Sequence, residues 1–120
     1  MAAVVQELNA TNLKSMIEEN EMLFIDFWAP WCGPCRRFAP IFEATAAKNP
    51  DIKFVKLNTD EQPEVAAQFG IQSIPTLGIF KDGELIFLEP GMLPEEVMDE
   101  IVAKVRAVDM EEVRRNNPQN

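Results

Sequence analysis

The chain has 120 residues, 47% of them apolar, and a formal net charge of −9 from 20 acidic and 11 basic side chains. That length suits one domain with its own core rather than two, and the acidic balance argues against nucleic acid, whose phosphates would repel it. No apolar run approaches the ~20 residues that span a bilayer, and the opening MAAVVQELNATN lacks the basic start and long apolar stretch of a secretory signal; a soluble protein of a reducing compartment, the cytoplasm, is expected, with no membrane contact.

In chain order, residues 4–8 predict a short strand. Thr11 is placed to cap a helix in which Leu13, Met16 and Ile17 recur at helical spacing. The nearly continuous apolar run at 23–28 predicts a strand buried on both faces, with one acidic residue, Asp26, inside it. After a WCGPC turn, Phe38, Ile41, Phe42, Thr45 and Ala46 mark one face of a second helix reaching to Asn49-Pro50. Pro40 lies inside that helix, removes a donor and should kink it. Residues 52–57 predict the next strand, and 64–69, stopped by Gly70, a short helix. Residues 76–80 and 84–88 predict a hairpin around Asp82-Gly83. Val97, Ile101, Val105 and Val108 mark one face of a last helix, and residues 116–120 are polar and expected to fray. No repeat or linker divides the chain. A single domain over 1–108 with a polar C-terminal extension over 109–120 is expected. The order βαβαβαββα predicts an α/β fold, a mixed sheet covered by helices.

Both cysteines lie in WCGPC, and histidine is absent. A tetrahedral zinc site wants four Cys, His or carboxylate ligands, so half the site is missing; no metal is expected. A structural disulfide across so short a loop gains little unfolded-state entropy, and an apolar chain of this size does not need it. Redox chemistry remains, the reading that fits C-x-x-C beside a βαβ pattern. Gly33 and Pro34 suit the turn and the first helical residues. Cys32 would then face the free N–H groups and positive dipole end of a helix, which favours thiolate over thiol. Arg36 and Arg37 oppose that dipole, and local rules broken without structural gain mark working sites. Arg36 is read as a further support for the thiolate, Arg37 as an ordinary exposed charge.

FIDFWAPWCGPCRRFAPIFEATA (24–46) resembles the active-site segment of the thioredoxin family, and VKLNTDEQPEVAAQFGIQSIPTLGIFKDGE (55–84) resembles the family's second half. The resemblance covers roughly 4–106. It implies a sheet of five strands flanked by four helices. It implies that Cys32 is the exposed nucleophile forming a mixed disulfide with a client protein, and that Cys35 is the buried thiol that resolves it. Asp26 matches the family's buried carboxylate, whose pKa burial should raise, making it a proton acceptor for Cys35; Lys56 matches the lysine near it. Pro75 matches a cis-proline that faces the disulfide and, with Ile74, offers an apolar surface and free backbone groups to an extended client segment. Trp31, Gly33, Pro34, Gly91 and Met92 complete an apolar rim by the same carry-over, whereas Trp28 reads as packing. The implied partners are disulfide-containing clients and a thioredoxin reductase, acting on a monomer without a cofactor.

Three features depart from the family pattern. Gly78 stands where a bulky residue is expected and should loosen the core. Pro90 directly precedes Gly91 and should stiffen the client-binding loop, and tyrosine is absent. Two other functions compete. One is an oxidant or isomerase of similar fold, against which Gly-Pro between the cysteines, rather than a histidine, speaks. The other is a non-enzymatic scaffold or subunit role.

Overall fold

A five-stranded mixed sheet in the order β1-β3-β2-β4-β5 forms the centre of the molecule. The computed structural model describes residues 4–116. β1 (Val5–Glu7) and β2 (Met22–Trp28) run parallel to β3 (Lys53–Asn58), which lies between them. β4 (Thr76–Lys81) is antiparallel to β2, and β5 (Glu84–Pro90) is antiparallel to β4. The helices are α1 (Leu13–Glu19), α2 (Gly33–Lys48), α3 (Pro63–Gln68), α4 (Glu95–Ala107) and α5 (Met110–Asn116).

The alternation of side chains along each strand builds two cores, one on each face. Phe24, Phe54, Leu77 and Ile79 meet Phe38 and Phe42 of α2 and Met98, Val102 and Val105 of α4. Leu23, Ile25, Phe27, Val55, Leu57 and Phe80 meet Val65 and Ala66 of α3 and the partly buried Leu13, Met16 and Ile17 of α1. β2 is therefore apolar on both sides, which is why its sequence runs rather than alternates. The same alternation puts Asp26 on the α2 face, between Phe24 and Trp28. The hairpin turn has Asp82 at φ 52° and Gly83 at φ 81°, the left-handed pair that a tight two-residue connection requires.

Among the described residues five helices are present against four expected. The fifth lies in the segment expected to be only a polar extension; residues 117–120 of the predicted fraying end lie outside the described residues. Asp109 Oδ1 accepts the N–H groups of Glu111 (3.0 Å) and Glu112 (3.3 Å), capping the helix start. Met110 is buried, and Arg114 lies 3.6 Å from Glu84 on β5. The α4 face is also shifted from expectation: Met98, Val102 and Val105 are buried, whereas Val97 and Ile101 flank them and Val108 is past the helix end. Thr11 is not the cap of α1. Asn12 holds that position, and its side chain ties down the preceding loop through Asn9 N–H (2.8 Å) and Glu7 O (2.9 Å) instead of capping the helix.

Gly78 does not loosen the core. A Cβ there would lie 3.1 Å from Phe27 Cε2 and 3.3 Å from Leu88 Cδ1, so those two side chains already fill the space a larger residue would use. Lys81 is buried at the other end of β4. Its ammonium donates to the carbonyls of Val105 (2.7 Å), Arg106 (3.2 Å) and Val108 (3.0 Å), satisfying the orphan acceptors at the C-terminus of α4 and opposing the negative end of its dipole. No helix among the described residues is long and apolar enough to cross a membrane.

Candidate active site

β2 ends at Trp28, and the chain turns through Cys32 N–H to Ala29 O (3.2 Å) into the first turn of α2. Cys32 is the N-cap residue, Pro34 sits in the first helical turn, and the Cys35 N–H points at Cys32 Sγ at 3.2 Å. The sulfur thus takes the place that a serine or aspartate oxygen takes at an ordinary helix start. A negative charge there gains from a backbone N–H and from the dipole together. Cys32 and Cys35 form a disulfide, with their Cα atoms 5.2 Å apart. The expected exposure of Cys32 is not found: it is only 5% accessible in this oxidised pair, against 1% for Cys35. The Ile74 carbonyl, 3.8 Å from its sulfur, closes one side.

Behind the disulfide, Asp26 is 3% exposed, and its Oδ1 has no hydrogen-bond partner among the described residues. Burial pushes its carboxyl from 3.8 up to about 7, with the charge of Lys56 pulling the other way. Lys56 is the register partner of Asp26 across β2 and β3, and its Nζ lies 5.4 Å from the centre of the Trp28 ring. Asp26, Cys35, Lys56, Trp28, Arg36 and Glu43 line one cleft of about 80 Å³, room enough for water to reach the carboxyl. Trp28, which reads from the sequence as packing rather than chemistry, lines this cleft; its Nε1 is buried without a partner among the described residues.

The rim is built from three separate chain segments. The Ile74–Pro75 peptide is cis, Pro75 is buried and Ile74 half-buried beside the sulfur. Gly91, at φ 112°, donates its N–H to Pro75 O at 2.8 Å. One backbone acceptor expected to be free for a client is thus already engaged in holding the loop. Met92 and Trp31 project from the surface, 41% and 68% exposed, while Gly33 is half-buried and Pro34 exposed at the turn. Asp60, which no sequence signal singles out, accepts the Trp31 Nε1–H at 3.0 Å. Its loop is ordered by Asn58 Oδ1, which takes the N–H groups of Asp60 (2.9 Å) and Glu61 (3.2 Å). Among the described residues no cluster of His, Cys, Asp or Glu could hold a metal ion.

A cysteine pair closed across a helix start defines a thiol–disulfide oxidoreductase of the α/β sheet type. The chain belongs to the thioredoxin family, whose model matches residues 4–107. It is 46% identical over 109 residues to a putative thioredoxin 2 of Streptomyces coelicolor, covering 91% of this chain and 81% of that one. It is 42% identical over 105 residues to thioredoxin 1 of a Nostoc species, covering 87% and 98%. Among solved structures it is similar to the oxidised form of mitochondrial thioredoxin 3 from Saccharomyces cerevisiae, with a TM-score of 0.76 at 35% identity over 82% of this chain and 94% of that one. A thioredoxin variant from Halobacterium salinarum superposes with a TM-score of 0.80 at 27% identity over 91% and 98%.

Proposed function

We propose that this oxidoreductase works as a reductant of disulfides in client proteins, with Cys32 as nucleophile, Cys35 as resolving thiol and Asp26 as the proton acceptor. The observation that carries the reading is the cleft that places a carboxyl titrating near neutrality beside Cys35, behind the Cys32 N-cap. Starting from the dithiol, Cys32 thiolate attacks one client sulfur, a Cys32–client bond forms, and the other client sulfur leaves with the electron pair and takes a proton. Cys35 then passes its proton to Asp26 and attacks Cys32. The mixed disulfide breaks, the second client sulfur leaves as a thiolate with the electron pair and takes a proton from water, and the Cys32–Cys35 disulfide seen here remains. Lys56 holds the Asp26 carboxylate by its charge once it forms. Trp31, Gly33, Pro34, Ile74, Pro75, Gly91 and Met92 form the surface on which the client segment lies.

Return to the dithiol takes two electrons from a partner of the thioredoxin reductase class. The redox unit is the domain over 1–108, acting as a cytoplasmic monomer that needs no bound cofactor, and the extension over 109–120 braces its far side through α5. The equilibrium reduction potential of the cysteine pair tests the direction. The reference points are thioredoxin itself at about −270 mV and a strong oxidant of related fold at about −120 mV; both figures belong to those proteins. A potential near the second would refute the reductant reading. Replacing both cysteines by serine separates catalysis from a scaffold role, because only the latter survives it.

A further inference from the structure

Arg36 and Arg37 are two uncompensated cations at the mouth of the site. The first turn of α2 contains no acidic residue, and two cations there work against the helix dipole. The other arginines and lysines that form ion pairs among the described residues, Lys48, Arg106 and Arg114, do so elsewhere, and neither Arg36 nor Arg37 has a carboxylate partner among those residues. Their placement is specific. Arg36 Nη1 donates to Pro30 O at 2.9 Å, which fixes its guanidinium against the loop before Trp31. The position a Cβ would take on Gly33, between the two cysteines, is 3.7 Å from Arg37 Nη1 and 4.0 Å from Arg36 Nη2. Both guanidinium groups, on exposed residues, therefore lie beside the tip of the WCGPC turn. The result is a localised positive spot on a chain of net charge −9; Asp26 and Glu43 share the cleft that Arg36 lines without pairing with it, and Asp60 is bound to Trp31.

We propose that Arg36 and Arg37 form a recognition fork for an acidic side chain adjoining the attacked cysteine of the client, so that the protein selects clients by charge as well as by disulfide. The proposal rests on the reductase reading above. A planar fork of donors suits a carboxylate, and a fork partly fixed before binding loses less freedom on engaging it. It also offsets the repulsion between an acidic client and an acidic protein at the one place where contact occurs.

Short peptide disulfides identical except for Glu, Gln or Lys next to the attacked cysteine test it, reduced by the whole chain at low salt. The expected order of kcat/KM is Glu, then Gln, then Lys, with a Glu to Gln ratio of about three- to fivefold, the range an exposed ion pair supplies. In the Arg36→Gln, Arg37→Gln double variant that ratio falls to about one, and in Arg37→Glu the order reverses; high salt erases the order in the parent protein. An unchanged ratio in the double variant overturns the proposal. An equal fall in rate for all three peptides also overturns it, because it would show the arginines acting on the Cys32 thiolate instead of on the client. If the parent protein reduces none of the peptides, the reductase reading fails first and the proposal falls with it.

Discussion

Replacing Asp26 by Asn removes one buried ionisation and leaves the shape of the site nearly unchanged. In the unfolded chain the carboxyl ionises at 3.8, and in the folded protein at about 7. Between those values the folded state holds a proton that the unfolded state has released, so stability falls as pH rises through the window. The loss is small below pH 4, about 2 kcal/mol at pH 5, and levels off at about 4 kcal/mol above pH 7, because each pH step between the two ionisations costs about 1.36 kcal/mol. Asn has no such ionisation. The variant should therefore match the parent near pH 3.5, within a constant offset from the amide at Oδ1, and exceed it by about 4 kcal/mol more at pH 8.

Urea unfolding of the oxidised protein at a series of pH values measures this difference directly, and the unfolding slope m should be unchanged, since the exposed surface is the same. Two results would refute the reasoning. A gain independent of pH would mean that Asp26 is as easily ionised in the fold as outside it. A gain that shrinks with rising pH would mean that Lys56 holds the ionised carboxylate more strongly than burial opposes it.

Other consequences can be checked with single substitutions. In single-turnover kinetics Asp26→Asn should slow release of the reduced client from the mixed disulfide while leaving the first attack by Cys32 largely intact; equal rates for both proteins in the second step above pH 7 would remove Asp26 from the mechanism. Gly78→Val should cost about 1–3 kcal/mol by forcing Phe27 and Leu88 apart, read as a lowered urea midpoint with no change in reduction potential. Lys81→Met should leave three carbonyls at the end of α4 without their donor and cost about 1–3 kcal/mol, with amide exchange accelerating first in Met110–Asn116.

The layers of this fold are written in the chain wherever one element decides its own fate. The run at 23–28 is apolar throughout because β2 is covered on both faces, and Asp82-Gly83 marks a turn because both residues need positive φ. The features that escape a sequence reading are those settled by distant partners. Thr11 and Asn12 are both cap-type residues, and the position falls to Asn12, whose side chain is spent on the preceding loop, at Asn9 and Glu7, and not on the helix. Nothing local marks Lys81 as a cap for a helix that begins fourteen residues later, or Asp60 as the acceptor for Trp31. Gly78 reads as a defect because the chain does not show Phe27 and Leu88 converging on it. The fifth helix is the exception: the cap Asp109, the acidic first turn and the spacing of Met110 and Val113 are all present in the chain, masked by the polarity of residues 114–120.

The site itself is legible for the opposite reason: it breaks local rules. A carboxyl in the middle of a two-sided apolar strand and two arginines in the first turn of a helix are each unfavourable where they stand. The carboxyl makes the point quantitatively. Its burial lowers stability by about 4 kcal/mol at neutral pH, a large part of what a domain of this size has in hand. A protonated carboxyl near Cys35 would be useless as an acceptor, and one titrating at 3.8 would be too weak a base to draw a proton from a thiol. Burial alone would push the group higher still, and Lys56, opposite it on β3, pulls it back toward neutrality. In the proposed mechanism the stability lost and the proton transfer gained are the same ionisation, so Asp26→Asn trades the second for the first.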